Sequence, residues 1–170
     1  MRMVVKKKDC VAILGAGMVG SVIAEDLYAS GFNVSVGDIS KGSLSRLAER
    51  SNNEIHTEVL DCANESQVTS FIKNADVVVG ALPSWLGYQN LQWVIKSKKP
   101  YCDISFMCED PRELDELAKQ HGVPCVVDFG VAPGMSHLLC SHIVNTLDTC
   151  TVLDIVVGGL PVERQWPWEY

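Results

Sequence analysis

The feature that most constrains the fold is a glycine pattern, G-x-G-x-x-G, that directly follows the short apolar run VAIL at residues 11–14. This run is too short for a helix and suits a buried strand, and an amphipathic segment follows the glycines. A strand, a glycine turn and a helix in this order are typical of a dinucleotide-binding loop. Gly15 permits the tight turn, Gly17 leaves room for a pyrophosphate, and Gly20 lets the helix pack closely on the strand. The helix N-terminus then offers amide groups and a partial positive charge to the diphosphate.

A carboxylate follows the loop at the spacing expected for ribose recognition. Asp38 ends the next apolar segment, residues 33–38. A carboxylate at this position bonds the 2′-hydroxyl of a ribose and repels a 2′-phosphate, so Asp38 favours NAD over NADP. Lys41 weakens that preference, because a flexible cation can reach a phosphate. The alternative role for Asp38 is the N-cap of the helix that follows.

Composition excludes several classes of function. A length of 170 residues suits one domain and a fragment of a second. The net charge of -7 provides no global basic field for nucleic acid or anionic lipid. No apolar run approaches the ~20 residues that span a bilayer. Seven cysteines without a C-x-x-C pair indicate thiols in a reducing compartment, so we expect a cytoplasmic protein. We expect Cys10, Cys102 and Cys125, which lie in apolar runs, to be small buried hydrophobes.

Strand-like and helix-like segments alternate as far as residue 128 and predict an α/β fold. This alternation is typical of a doubly wound parallel sheet, the Rossmann fold, with strand order 3-2-1-4-5-6. After the first strand, we predict strands over 33–38, 55–60, 76–79, 101–104 and 125–128. We predict helices over 18–30, 42–50, 64–74, 88–97, 110–122 and 135–147. Two helix starts carry capping signals: Asn64 fits an N-cap, with Gln67 placed to complete a capping box, and the sharpest start has Asp110 as N-cap with Glu113 reaching back.

The regular alternation of strand-like and helix-like segments ends near residue 130, which predicts a domain boundary. We expect a dinucleotide-binding domain over 1–129 and the beginning of an α+β substrate domain, apparently truncated, over 130–170. The second part holds the helix at 135–147, a predicted strand at 151–157 and a turn at 158–161. Trp166, Trp168 and Tyr170 crowd its end, which predicts a longer protein or a partner that covers the tail.

The ligand of a doubly wound sheet lies across the carboxyl ends of the strands. The candidate cofactor contacts are therefore the residues that follow the strands: Gly15, Ala16, Gly17, Met18, Val19, Gly20, Asp38, Ile39, Asp61, Cys62, Ala81, Leu82, Pro83, Asp103 and Ser105. Several have structural alternatives. Asp61 and Cys62 also fit a turn aspartate and a buried thiol, and residues 81–83 also fit a plain loop. Asp103 would orient the nicotinamide ribose or cap a loop, while a structural role is favoured for Asp128.

The sequence predicts no metal site and assigns no catalytic acid or base. His137, Cys140 and His142 lie close together, but helical spacing turns His142 away from the other two. His137 has a suitable ordinary pKa for proton transfer. Its place on an apolar helix favours a buried, structural histidine.

Beyond the glycine loop, three stretches occur in a distinctive order: DVVVGALP at 76–83, YCDISF at 101–106, and GVAPGMSH at 130–137 with GGLP at 158–161. Together they resemble the saccharopine dehydrogenase-like family, in particular its L-lysine dehydrogenase branch. The resemblance implies an NAD(P)-dependent oxidoreductase that moves hydride between an amine-bearing carbon of an amino acid and the nicotinamide. It also implies that the Pro133-Gly134 turn begins a substrate domain continuing past residue 170.

Two functions follow as hypotheses. The first is an amino-acid dehydrogenase that binds NAD and a small amino-acid substrate and forms a homo-oligomer, a dimer. The second is a dinucleotide-binding module without catalysis, either a redox sensor or a domain from a fragmented gene.

Overall fold

The computed structural model describes residues 9–158 and Glu163. The chain divides into two compact units, Met1–Gly130 and Val131–Tyr170, which are treated separately below. None of the helices in the described part of the chain is long and apolar enough to cross a membrane.

A six-stranded parallel sheet forms the centre of the first unit. Its strands are β1 (Cys10–Leu14), β2 (Asn33–Asp38), β3 (His56–Val59), β4 (Val77–Gly80), β5 (Tyr101–Asp103) and β6 (Cys125–Val126). Their order in the sheet is β3-β2-β1-β4-β5-β6, and every pair is parallel. The predicted doubly wound order is therefore confirmed.

Helices cover both faces of this sheet. They are α1 (Met18–Ala29), α2 (Lys41–Arg50), α3 (Glu65–Phe71), α4 (Ser84–Lys96) and α5 (Asp115–His121). Alternate residues of β1 enter two separate cores, because successive side chains of a strand point to opposite faces. Ile13 packs with Leu47 of α2 in one core, and Leu14 packs with Leu91 of α4 in the other. Burial on both faces explains why β1 is a continuous apolar run.

The edge strand β3 follows the predicted alternation only in part. His56 and Glu58 are exposed and Thr57 is half-buried, but Val59 is exposed as well. This strand has a partner on one side only. At the other edge, β6 is shorter than predicted. Cys10, Cys102 and Cys125 were expected to be buried but are half-buried, whereas Cys62 is the buried cysteine.

Two helix starts follow the sequence only in part. The Asn64 side chain accepts the amides of Ser66 and Gln67, as an N-cap should, but Gln67 does not close a capping box. Its Oε1 accepts the amide of Asp61 at 3.0 Å instead. Two side chains therefore bond the backbone at the start of α3: Asn64 caps the helix, and Gln67 stabilises the preceding turn.

The second start differs in its helix type. Asp110 accepts the amide of Arg112 and opens a 3-10 turn, Pro111–Leu114, before α5 begins. Glu113 does not reach back to the cap. Its carboxylate accepts a hydrogen bond from the hydroxyl of Tyr88 on α4 at 3.2 Å. The Arg112 side chain donates to the Asp110 carboxylate. The helix α4 also begins four residues earlier than predicted, directly after Pro83.

The second unit contains the predicted helix, α6 (Met135–Thr146), but not the predicted strand. Residues 151–158 form no strand, so the strand prediction at 151–157 is wrong. Strand-forming residues need a partner strand, and the described part of this unit offers none. Residues 159–161 of the predicted turn and the aromatic tail at 166–170 lie outside the described residues.

Candidate functional site

Backbone contacts from both neighbouring strands fix the glycine loop. The Gly15 amide donates to Gly37 O on β2 at 2.8 Å, and the Ala81 amide donates to Leu14 O at 2.9 Å. Gly15 has a φ of +105°, and a Cβ added there would lie 2.4 Å from Ala81 O. A Cβ on Gly20 would lie 2.2 Å from Gly15 O. Gly15 and Gly20 are therefore glycines because the backbone of the loop is packed against them.

Gly17 is different from the other two glycines of the motif. A Cβ added to Gly17 meets no protein atom within 4 Å, and its φ of -68° suits any residue. It precedes α1, and the amides of Gly17, Met18 and Val19 have no protein acceptor among residues 9–158. Met18 and Val19 are exposed. Open space beside unpaired amides at a helix N-terminus is the geometry that binds a phosphate.

The carboxylate of Asp38 connects the loop to the start of α2. Its Oδ2 accepts the Ala16 amide at 2.6 Å, and its Oδ1 accepts the Ser40 amide at 2.7 Å. The N-cap of α2 is Ser40, whose side chain accepts the Ser43 amide, so the N-cap alternative for Asp38 is wrong. Asp38 stands beside the loop as predicted, while Ile39 is exposed next to it.

A cavity of about 310 Å³ opens between α1 and α2, beside the glycine loop. Its lining consists of Ala16, Gly17, Met18, Ser21, Ser43, Arg46 and Arg50. The two arginines did not emerge from the sequence, because only the packing of α2 against α1 brings them beside the glycines.

The contacts of the residues after β3 are structural. Asp61 Oδ1 accepts the Ala63 amide at 2.9 Å, which makes the turn before α3. Burial, together with the charges of Asp38 and Asp61, raises the pKa of the Cys62 thiol to about 12. Cys62 is therefore an uncharged, unreactive thiol at neutral pH.

The residues after β4 continue along the glycine loop. Ala81 lies against Gly15 and Gly20, and Leu82 packs on the core. Pro83 is exposed and serves as the N-cap residue of α4. This segment thus combines close packing on the loop with an open face at the proline.

The residues after β5 form a buried polar cluster with Tyr101. Asp103 and Ser105 are 0% and 3% exposed, and Asp103 Oδ1 accepts the Ser105 amide. Within the described residues, Tyr101 Oη, Asp103 Oδ2 and Ser105 Oγ have no hydrogen-bond partner. Gly80 makes room for this cluster, because a Cβ there would lie 2.1 Å from Tyr101 Oη. Asp103 and Ser105 therefore lie below the surface on which a cofactor would rest, and their contact with one stays a prediction.

Burial also sets the protonation of this cluster. Desolvation by burial raises the pKa of the Asp103 carboxyl above its ordinary value, and the neighbouring polar groups of Ser105 and Tyr101 oppose that rise only in part. A carboxyl whose pKa is higher in the folded state binds more protons when folded. Its contribution to the free energy of unfolding therefore falls as pH rises from the ordinary carboxyl pKa to the raised value.

This gives a testable prediction for Asp103→Asn. Asparagine keeps the oxygen that accepts the Ser105 amide and removes the buried charge. We expect the variant to be more stable than the parent at pH 7, with the difference shrinking as pH falls towards 4. Thermal unfolding across this pH range measures it, and Asp26→Asn, on the exposed face of α1, controls for the lost charge. A pH-independent difference would contradict the assigned burial effect.

The described residues of the second unit contain no recognisable site. His137 is exposed rather than buried as expected, and its Nδ1 accepts the Gly134 amide at 3.2 Å at the start of α6. Its role there is a structural cap. The described residues contain no group of three or more histidine, cysteine or acidic side chains able to hold a metal ion. Asp128, at the end of the first unit, adopts a positive φ of 55°.

A larger cavity, of about 560 Å³, lies beside β6, the edge strand opposite β3. Apolar residues of α4, α5 and β6 form much of its lining, among them Leu91, Ala118 and Cys125. The single glycine of its described lining, Gly122, donates its amide to Lys119 O. The smaller site at residues 15–20 is the one with the chemistry of a phosphate cradle.

Comparison with known proteins agrees with this geometry. Residues 11–126 match the family model described as "Saccharopine dehydrogenase NADP binding domain". The chain belongs to this family. The matched segment runs from the glycine-loop strand to β6, and it is the dinucleotide-binding domain of a saccharopine dehydrogenase-like protein.

Individual relatives are distant. The chain is 25% identical over 170 residues to mitochondrial alpha-aminoadipic semialdehyde synthase of Mus musculus, covering 95% of this chain and 18% of the mouse protein. The structure of L-Glu-forming saccharopine dehydrogenase from Saccharomyces cerevisiae has a TM-score of 0.73 at 23% identity, covering 81% of this chain and 31% of that one. GenD2 of gentamicin biosynthesis, solved with NAD, has a TM-score of 0.61 at 20% identity, covering 85% and 42%. The chain thus spans less than a third of the length of the first two.

Proposed function

We propose that this chain supplies the nicotinamide-dinucleotide site of an amino-acid dehydrogenase that acts at a C–N bond. The observation that carries the proposal is the open space at Gly17 beside the unpaired amides that begin α1. Family membership supports the cofactor class, and the likeness to saccharopine dehydrogenases supports the substrate class.

The residues of the loop have different roles in binding. The amides of Gly17, Met18 and Val19 would donate to the diphosphate, and the α1 N-terminus would add its partial positive charge. Gly15 and Gly20 hold the loop in shape through their backbone contacts. Ala81 and Leu82 would border the nicotinamide half. When bound, the nicotinamide accepts or donates a hydride; the residues of this domain orient it and keep the reacting face in place.

Two features compete at the adenosine ribose. The Asp38 carboxylate favours NAD, as its position after β2 predicts. Against this, both Asp38 oxygens already accept a backbone amide, and the cavity beside the loop is lined by Arg46 and Arg50. On the ground of Asp38 we propose NAD as the cofactor. The two arginines would determine whether the site also accepts NADP.

The second candidate is a binding module without catalysis. It is favoured by the buried or structurally engaged state of the titratable groups at the strand ends, since Cys62 and Asp103 are buried and Asp61 forms a turn. In this case the domain would report the cofactor's redox state or concentration to another part of a protein. An amino-acid substrate, a homodimer and a cytoplasmic location all remain predictions, and the mouse relative carries a mitochondrial name.

One experiment separates the two candidates. Calorimetry first measures NAD⁺ and NADP⁺ binding to this chain and to the longest natural form of the protein. Absorbance at the reduced-nicotinamide band then follows turnover of that longest form with lysine, saccharopine and related diamines. Reduction with one of these amino acids supports the dehydrogenase. Binding without any turnover supports the module, and no binding of either dinucleotide contradicts both.

A further inference from the structure

A buried amide side chain on α4 holds the segment that follows β3. Asn90 is 0% exposed, and its Nδ2 donates to Cys62 O at 2.9 Å. The same nitrogen donates to Leu86 O, one turn earlier in the helix, at 2.9 Å. Asn90 therefore joins the middle of α4 to the backbone of a residue 28 positions earlier in the chain.

Stability alone does not explain an asparagine at this position. Within the described residues, Asn90 Oδ1 has no hydrogen-bond partner, and a buried acceptor without a donor is unfavourable. An apolar residue at position 90 would remove this acceptor and would leave Cys62 O without its donor instead. One unpaired acceptor would thus replace another. The distinctive effect of the amide is that it fixes the position of the Cys62 carbonyl.

The segment that Asn90 holds lies beside the predicted ribose position. The Leu60 amide donates to Asp38 O at 3.0 Å. Burial and, after it, the charge of Asp38 raise the pKa of the Cys62 thiol, so this carboxylate is close to Cys62 as well. Because β2 stands between β1 and β3, residues 60–62 run along the side of Asp38 that faces away from the glycine loop.

The strand order also gives this segment a place along the cofactor. A dinucleotide lies across the carboxyl ends of the strands. Its diphosphate would lie after β1, at the start of α1, and its ribose after β2, at Asp38. The next group outward, the adenine, would then lie over the end of β3. Residues 60–62 border that position because they directly follow β3.

We propose that Asn90 is a positioning residue for the adenosine half of the dinucleotide site, because it holds Cys62 O from α4 and so fixes the backbone beside the adenine. The proposal rests on the dinucleotide site proposed above. Asn90 is fully buried and would make no contact with the cofactor itself. Its loss should weaken binding of the adenosine half and leave the amides of the glycine loop in place.

The test measures the Kd for NAD⁺ and for ADP-ribose by calorimetry, at a temperature where thermal unfolding shows each protein to be folded. The proteins are the parent chain, Asn90→Ala, Asn90→Leu and Val94→Ala. Both Asn90 variants lack the donor, and leucine fills the space that alanine leaves. Val94 is also 0% exposed and lies one turn further along α4, so Val94→Ala controls for a loss of packing.

We expect both Asn90 variants to raise the Kd at least about fivefold, and by a similar factor for the two ligands, because ADP-ribose lacks only the nicotinamide. Val94→Ala should lower the Tm and keep both constants within about twofold.

Three results of this comparison would overturn the proposal. The Asn90 variants could keep both constants unchanged, they could lose affinity for NAD⁺ but not for ADP-ribose, or Val94→Ala could lose affinity equally. In each case NAD⁺ still binds the parent chain, so the dinucleotide site itself stands. A parent chain that binds neither ligand would instead contradict the proposed function together with this inference.

A measurement on the parent chain does not depend on the folding of any variant. In a ¹H–¹⁵N spectrum, the side-chain NH₂ signals of Asn90 should shift when ADP-ribose binds, since Nδ2 is bonded to the carbonyl beside the adenine. Nicotinamide mononucleotide, which lacks the adenosine, should leave these signals unmoved. Equal shifts with the two ligands, or no shift with ADP-ribose, would contradict the proposal.

Discussion

Replacing Gly17 by valine should abolish dinucleotide binding while leaving the fold almost unchanged. The new side chain meets no protein atom within 4 Å, so it enters the space assigned to the diphosphate. The φ of -68° at this position is ordinary for valine, and the loss of a favourable N-cap residue typically costs about 1 kcal/mol. We expect the Kd for NAD⁺ and NADP⁺ to rise at least about a hundredfold, which is about 2.7 kcal/mol.

The measurement is calorimetry at matched protein concentration, accompanied by thermal unfolding. Gly31→Val is a suitable control for binding, because Gly31 lies at the far end of α1 in a turn of positive φ and also has open space around it. That control should lose stability through its backbone strain but keep its affinity. Undiminished affinity in Gly17→Val would mean that the cofactor does not lie over the loop.

Replacing Gly20 by alanine should have the opposite signature, a large loss of stability. Alanine has the better helix propensity by about 1 kcal/mol, so propensity alone predicts stabilisation. The Cβ would instead lie 2.2 Å from Gly15 O and 3.1 Å from the Ala81 Cβ, and the first of these neighbours is backbone that cannot rotate away. The helix must shift away from the loop, at a cost that we place at about 3 kcal/mol before the propensity gain.

The net effect, about 2 kcal/mol, should lower the Tm by roughly 4–8 °C. Gly17→Ala is the matched control, since it adds the same methyl group three residues earlier where no atom obstructs it. If Gly20→Ala unfolds at the same temperature as Gly17→Ala, the close packing of α1 on the loop is wrong.

The sequence determines the first unit well because local signals and the fold agree there. The glycine loop, the buried run of β1 and the alternation of β3 each predict their own element, and the doubly wound rule then orders the strands. The sequence is less informative about helix starts. Gln67 and Glu113 both find partners outside their caps. Gln67 accepts the amide of Asp61 in the preceding turn, and Glu113 accepts the hydroxyl of Tyr88, which becomes a neighbour only after the chain has folded.

In the candidate site, too, the sequence reveals some residues and not others. The three glycines and Asp38 are recognisable because their spacing along the chain carries the signal. Arg46 is not, since its relevance depends on how α2 packs beside α1, and Lys41 is nearer to Asp38 in sequence. Asp103 shows a further limit: its place after β5 is as predicted, yet the sequence does not reveal that it is fully buried with Tyr101 and Ser105. The predicted strand at 151–157 failed because strand propensity requires a partner.

The central claim is that the amides at the start of α1 hold the diphosphate of a nicotinamide dinucleotide. The most direct measurement is a ¹H–¹⁵N correlation spectrum of the labelled protein titrated with NAD⁺ and NADP⁺. We predict that the largest amide shifts occur at Gly17, Met18 and Val19, with little change at Leu91 and Ala118 in the apolar cavity beside β6. Shifts concentrated at that cavity, with the loop amides unmoved, would contradict the account.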